Sequence, residues 1–380
     1  MSKVARNAKY TKEYNRKTFI RLLRRESMSS ANLARLMGLT RAATSVIADE
    51  LLDDGVIVKG SGTNIHQRGR TPILLSLKSD YAYSIGIRLY RNACTVGIVD
   101  IGGQVISQYQ IDTDETKKTY KLNPLIVAIN KLLDESAIDQ KRIIGIGISS
   151  PGPLDRERGR ILNPPNFDMW HDTDIAPVLS EAFGMPAYLE NDASALAQFN
   201  LGKSEADGSE DYLLLLVDDG VGSGVISHGK LFKGAGFFTS ELGHTSINFR
   251  GKKCVCGNTG CLESYAGIQN LLADSRFTTW KEIMDSYKTD RTANDLLLQE
   301  IDYLTMGIVN LANIISIDTV LLAGDMLYKA EEITPIFEKQ VQNRLLRRDI
   351  LPIRIRPSFA GEDYQLLSAA NIAFERFLMM

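Results

Sequence analysis

Three of the four cysteines in this 380-residue chain, Cys254, Cys256 and Cys261, fall within eight positions, and His244, one of four histidines, stands ten residues before the first. Three soft thiolates and one imidazole suit a four-coordinate Cys3His zinc site. Gly257 and Gly260 permit the tight turns that wrap three sulfurs around one ion. Protein ligands fill every coordination position, leaving none for an activated water, so the expected ion is structural, one per chain. Acids flank the cluster: Glu241 three residues before His244, and Glu263 two after Cys261. A metal knot that pins two carboxylates can shape a polar pocket.

The chain that must position these groups is too long for one ordinary core, and two or three domains are expected. With 44% hydrophobic and 24% charged residues, its composition is globular. The N-terminal residues are basic and polar without an apolar core, unlike a secretory signal. The longest aliphatic run, residues 213–217, is far too short to span a bilayer. Thiols gathered as metal ligands fit a cytoplasmic location with no membrane partner. Net charge is −2, unevenly spread: residues 1–80 carry 15 Lys and Arg against 7 Asp and Glu, the remaining 300 carry 29 against 39. A basic head on an acidic body suggests that the head meets a polyanion.

A motif in the head agrees with its charge. Phe19, Ile20, Leu22 and Leu23 give a first helix an apolar face. Ser29 or Ser30 can cap a second helix with Leu33, Leu36 and Met37 inward, and Gly38 breaks it. Thr40 caps a third, running to about residue 53, with Val46, Ile47, Leu51 and Leu52 inward. These are the proportions of a helix-turn-helix. Arg41, Thr44 and Ser45 are read as outward positions near the start of the third helix, suited to phosphates and base edges in a major groove. Residues 56–59 and 73–77 read as two strands of a wing. Its loop carries Arg68-Gly69-Arg70, two arginines able to lie along a narrow A·T-rich minor groove. DNA is the expected partner.

The body begins with three alternating strands, YSIGIRL, ACTVGIVD and QVISQYQI. A helix near 122–135 and the buried-strand run IIGIGIS follow, leading into Ser150-Pro151-Gly152-Pro153. After Asn163-Pro164-Pro165-Asn166 come a helix near 175–183 and a strand ending at Asn191-Asp192. A second unit opens with DYLLLLV and the glycine-rich turn 220–224, then turns helical after the cysteine cluster, with another buried strand at 319–322. Strands followed by alternating helix and strand imply an α/β layer fold. The expected division is a head of residues 1–77, a first lobe of 78–196 plus 364–380, and a second lobe of 197–363. No G-x-x-x-x-G-K-[ST] run is present.

Several motifs resemble the ROK family (repressors, open reading frames, kinases), in particular its winged-helix repressors of sugar metabolism. They are Arg68-Gly69-Arg70-Thr71-Pro72, Ser150-Pro151-Gly152, Glu190-Asn191-Asp192, the 220–224 turn, Glu241-Leu242-Gly243-His244, and Cys254-x-Cys256-Gly257-x-x-Gly260-Cys261-x-Glu263. The resemblance implies an actin/hexokinase-like (RNase H-like) body of two α/β lobes with a sugar between them. It also implies zinc on His244, Cys254, Cys256 and Cys261, and a homo-oligomer, a dimer or a tetramer. By position, Asn191, Asp192, Glu241, His244 and Glu263 match the family's sugar ligands, and Gly152 and Asn166 extend the set. Asp192 matches the general base of the kinase members, although a carboxylate there can also cap the following helix.

Kinase members open the body with a strand ending Asp-x-Gly-Gly-Thr, which holds Mg²⁺-ATP phosphates. The matching residues here are Arg88, Leu89, Tyr90, Arg91 and Asn92, and the family's second Gly-Gly is replaced by Ala323-Gly324-Asp325. Phosphoryl transfer depends on positioning and metal-assisted charge stabilisation, so this pattern implies sugar binding without catalysis. The implied protein is a sugar-responsive repressor. The alternative is an ATP-dependent sugar kinase with an appended DNA-binding head. Arg88 is a candidate partner for the phosphate of a phosphorylated sugar.

Overall fold

A computed structural model describes residues 8–61, 73–91, 93–112, 122–201, 203, 208–234, 239–359, 361 and 363–379. Arg68 and Arg70 of the expected wing loop, and Asn92, lie outside the described residues.

The head comprises α1 (Ala8–Arg25), β1 (Met28–Ser29), α2 (Ser30–Met37), α3 (Arg41–Asp53), β2 (Ile57–Ser61) and β3 (Ile73–Leu77). Ser29 Oγ accepts from the Asn32 N–H at 3.3 Å to start α2, and Gly38, at φ 65°, ends it. Thr40 Oγ1 starts α3 by accepting from the Ala43 N–H at 3.2 Å. These are ordinary N-caps followed by a left-handed C-cap. The strands form an antiparallel sheet in the order β1-β3-β2.

Three expectations about which head residues face inward need correcting. Leu36 is 52% exposed and Val46 59% exposed, whereas Thr44 is fully buried. The buried residues of α3 are Thr44, Ile47, Ala48 and Leu51, an i, i+3, i+4, i+7 stripe that leaves Val46 on the opposite side. A threonine is tolerated in that stripe because its Oγ1 donates to Thr40 O at 3.0 Å.

The body holds two five-stranded sheets of the same topology. The first has β4 (Tyr83–Tyr90), β5 (Ala93–Asp100), β6 (Val105–Asp112), β7 (Ile143–Ser150) and β10 (Ala187–Asn191), ordered β10-β7-β4-β5-β6. Between them run α4 (Asn123–Glu135), the hairpin of β8 (Leu154–Asp155) and β9 (Arg160–Ile161), and α5 (Ile175–Phe183). Helix α6 (Asp192–Asn200) leads to the second sheet, with β11 (Tyr212–Val217), β12 (Val221–Ser227), β13 (Lys230–Leu231), β14 (Thr319–Gly324) and β15 (Arg354–Pro357), ordered β13-β12-β11-β14-β15. Helices α7 (Glu263–Ala266), α8 (Ile268–Leu272), α9 (Trp280–Ser286), α10 (Arg291–Ala312) and α11 (Ala330–Arg344) belong to this half, and α12 (Tyr364–Met379) closes the chain.

In each sheet three antiparallel strands are followed by two parallel ones. That repeated α/β layout is the two-lobed, actin-like body. The sequence pattern follows from position in it. All six residues of central β11, YLLLLV, are buried, while edge strand β6 alternates along its length.

Each lobe has its own core, around Trp170 in the first and Trp280 and Phe337 in the second. Helix α12 lies on β4 and β7, and at two glycines its backbone approaches the sheet directly. A Cβ on Gly147 would stand 2.0 Å from Ala369 O, and one on Gly86 2.9 Å from Leu366 O. Helix α6 packs between α12 and β12 and is continuous through position 196/197, so the expected lobe division falls inside a helix. Among the described residues no helix is long and apolar enough to cross a membrane.

Candidate functional site

Strand ends and helix starts of both lobes meet in a cleft of about 1200 Å³. Gly152, Asn166, Asn191 and Asp192 line it from the first lobe, with Arg88, Tyr90 and Arg91 from the end of β4. Glu241, His244 and Glu263 line it from the second. The residues expected to bind sugar are thus gathered in one cavity, together with Arg88.

Local chemistry fixes their poses. Asn191, not Asp192, caps α6: its Oδ1 accepts from the Ser194 N–H at 3.0 Å. Its Nδ2 donates to Asp192 Oδ1 at 2.9 Å, which also accepts from the Ala193 N–H at 2.8 Å. Gly152 faces this pair, since a Cβ there would meet Glu241 Oε1 at 3.6 Å and Asn191 Nδ2 at 3.7 Å. Asn166 adopts a left-handed backbone, φ 57°, which asparagine tolerates better than most residues. The glycine-rich turn has a use internal to the protein. The Val221 N–H donates to Glu263 Oε2 at 3.0 Å, and a Cβ on Gly220 would stand 2.6 Å from that oxygen. Backbone approach to an anion is realised with the protein's own carboxylate.

Sequence reasoning missed Arg156, Asp218 and Asp219, and named Asp325 only as a departure from the family's second Gly-Gly. Arg156, from the β8–β9 turn, lies beside Glu190, the residue before Asn191, with Nε 2.8 Å from Oε1. Asp218, Asp219 and Asp325 also line the cleft, with Arg88 acting on Asp218. The run Val217-Asp218-Asp219-Gly220 was a signal for two of these, but the reading passed from the strand straight to the glycine turn at Gly220.

The cleft is carboxylate-rich, and burial shifts several acids. Asp192 is raised above the usual range by burial, with Arg88 opposing and Glu241 adding to the rise. Asp218 is raised by burial, again opposed by Arg88. Glu241 is raised by burial, eased by His244 and Arg156 and pushed further by Glu263. Asp325 reaches about 6 through burial and the charges of Asp218 and Asp219. Arg88 stacks its guanidinium over Tyr90 at 4.3 Å. Arg91 crosses from the first lobe to the second, with Nη1 3.5 Å from Asp219 Oδ2 and 3.2 Å from Gln269 Oε1.

Next to the cleft, donor atoms of His244, Cys254, Cys256 and Cys261 all lie within 4.8 Å of one another. Cys254 Sγ is 3.7 Å from His244 Nδ1, and Cys256 Sγ is 3.7 Å from Cys261 Sγ. Tetrahedral zinc–sulfur bonds of about 2.3 Å place sulfurs about 3.8 Å apart, so the cluster can hold such an ion. Short bridges, Ser246 with Cys261 and Lys253 with Thr259, shape the loop. A Cβ on Gly260, at φ 77°, would fall 1.7 Å from Asn248 O. Burial and the neighbouring Cys256 and Cys254 push the Cys261 thiol up to about 12, the crowding that a bound divalent cation relieves. His244 serves both sites, lining the cleft while its Nδ1 faces the sulfurs.

On the head, Arg41 and Ser45 are exposed as expected, with Ala42 and Val46 beside them where Thr44 was expected.

Comparison with known proteins places these features. The model of the ROK family matches residues 84–376. Over 334 residues the chain is 29% identical to the xylose repressor of Caldicellulosiruptor bescii, covering 82% of each protein. It is 25% identical over 378 residues to the xylose repressor of Bacillus subtilis, covering 98% of this chain and 97% of that one. Among solved structures it is similar to a ROK family transcriptional regulator described as a homologue of the E. coli Mlc protein, with TM-score 0.78 and 23% identity over 97% of this chain and 98% of that one. It is also similar to a ROK hexokinase from Thermus thermophilus, with TM-score 0.66 and 28% identity over 78% of this chain and all of that one.

Proposed function

The chain belongs to the ROK family, and from that premise we propose that it is a sugar-responsive transcriptional regulator acting as a repressor. Residues 1–77 bind operator DNA, and the two lobes hold the effector. The observation that carries this reading is the lining of the cleft. Asn191, Asp192, Glu241, His244 and Glu263 share it, a set of amides, carboxylates and imidazole suited to hydroxyls at several angles. The same cleft carries Arg88, Tyr90 and Arg91 with Asp218, Asp219 and Asp325, so a nucleoside triphosphate entering it would face three further carboxylates. The named relatives that span most of the chain are repressors, which agrees.

Zinc held by His244, Cys254, Cys256 and Cys261 would act as a brace. Ligation through Nδ1 leaves His244 Nε2 as an N–H donor for the cleft, and the knot fixes Glu241 and Glu263 on either side. We assign DNA contacts to Arg41, Ser45 and Val46, with Arg68 and Arg70 in the wing. The protein is assigned to the cytoplasm as a homodimer or a tetramer, matched to a two-fold operator. Arg88 is the assigned partner of an effector phosphate, if the effector carries one.

A thermal-shift screen of sugars and sugar phosphates tests the cleft, since a ligand at a hundredfold excess over its Kd adds about 2.7 kcal/mol. Selection of duplexes from a random library tests the head. The likeness to a hexokinase and the position of Asp192 favour the kinase as second reading. ATP-dependent consumption of a sugar by the purified protein would establish it and displace the first.

A further inference from the structure

Helix α1 is tied at two points, to different things. At its middle, Arg16 Nη2 lies 2.6 Å from Asp54 Oδ2 and Nη1 lies 3.2 Å from Glu50 Oε2, holding α1 to the recognition helix α3. Two turns on, Arg24 leaves the head. Its Nε donates to Ile101 O at 3.0 Å and its Nη1 to Asn371 Oδ1 at 2.6 Å, with Glu375 Oε1 at 3.6 Å. Its guanidinium lies over the Phe374 ring at 4.5 Å. Arg21 Nη2 adds a bond to Leu378 O at 2.8 Å. One continuous apolar cluster joins Phe19 and Leu23 of α1 to Ile101, Phe374 and Leu378 of the body.

The partner of Arg24, α12, is itself immobilised on the first sheet by the contacts at Gly86 and Gly147. Its first turns reach the cleft through Tyr364, Gln365 and Ser368. From Ser368 to Leu378 is ten residues of helix, about 15 Å at 1.5 Å per residue, with no loop between. Head, α12 and first sheet therefore form a single stack.

We propose that Arg24 is a positioning residue that fastens the DNA-binding head to the first lobe as one rigid body. Movement of the second lobe on filling the cleft then reorients whole head-and-lobe units against one another, with no hinge at the head. This rests on the reading of the protein as a sugar-responsive DNA binder. It differs from a tethered head in one respect: the fork of Arg24, not the chain connection, sets where the recognition helix points.

The test is hydrogen exchange on the full-length zinc-loaded protein, wild type, R24M and R24K, alone and with D-xylose, D-glucose or N-acetyl-D-glucosamine. R24M keeps an apolar stem against Phe374 and removes the donors, while R24K keeps the charge and loses the fork. Without sugar, α1 amides in R24M should exchange about tenfold faster or more, as expected when charged hydrogen bonds are lost from a docked element, with R24K between the two. In wild type, a sugar that protects cleft residues should also alter exchange in α1. In R24M cleft protection should persist while the α1 response disappears. Unchanged basal exchange of α1 in R24M would overturn the proposal, as would a cleft-protecting sugar that leaves wild-type α1 untouched. If no sugar protects the cleft, the sugar reading fails, and the clamp still stands or falls on unliganded α1. A circular dichroism melt of each variant separates loss of the clamp from loss of the fold.

Discussion

Arg156 and Glu190 form an ion pair with Nε 2.8 Å from Oε1, each side chain only 4% exposed. Burial raises the Glu190 carboxyl above its usual range, and the guanidinium opposes that shift. The same Glu190 oxygen accepts the Asn191 N–H at 3.0 Å. The pair thus sits behind the cleft and sets the backbone that presents Asn191 and Asp192. Removing one partner of a buried pair costs about 3–5 kcal/mol. R156M should fall near the lower end, because Lys233 and Arg376 also act on Glu190. Urea unfolding measures this, and a loss below about 1 kcal/mol would show the pair to be dispensable.

Stability should depend on pH through Asp325. Its folded value, about 6, lies above the ordinary aspartate value of 3.8, so the charged form is disfavoured in the folded state. Below pH 3.8 both states are protonated and the penalty is absent; it grows through pH 4–6 and is complete above. D325N should therefore stabilise the protein at pH 7 and lose that advantage by pH 4. Urea midpoints of both proteins across that range check the sign. A constant difference would mean that Asp325 titrates normally.

Metal removal should loosen the cleft as well as the loop. The purified protein should carry one zinc per chain by elemental analysis, and C256S should carry less. Sugar affinity should fall in the stripped protein, because Glu241 and Glu263 bracket the ligands in sequence and His244 belongs to both sets. Apoprotein that bound sugar as tightly as holoprotein would separate the two sites.

The recognition helix gives opposite expectations for neighbouring residues. T44V should leave operator affinity almost unchanged, since Thr44 is buried and bonded to Thr40 O. V46A should weaken binding by roughly 1 kcal/mol if the exposed valine meets thymine methyls. R41M should lower the slope of log affinity against log salt by about 0.9 if Arg41 contacts one phosphate. Titrations at several salt concentrations on a selected duplex report all three. A loss confined to T44V would reverse the assignment of faces.

Much of this was legible in sequence because it rests on local signals. The Cys/His spacing, the caps at Ser29 and Thr40, and the limits of α5 and β10 are written in a few adjacent residues. The interior of α3 was not, since Val46 and Thr44 invert the usual rule and only the 44-47-48-51 stripe reveals it. Arg24 and Arg156 were invisible for a different reason. Their partners lie 347 and 34 residues away, and nothing local marks an arginine as buried.

The acidic wall beside Arg88 bears on where such a protein can go next. An aspartate placed at position 88 would add a further negative charge beside Asp192, Asp218, Asp219 and Asp325. On the repressor reading, one substitution there is therefore not enough to seat a triphosphate, and variation in this cleft acts first on what it senses.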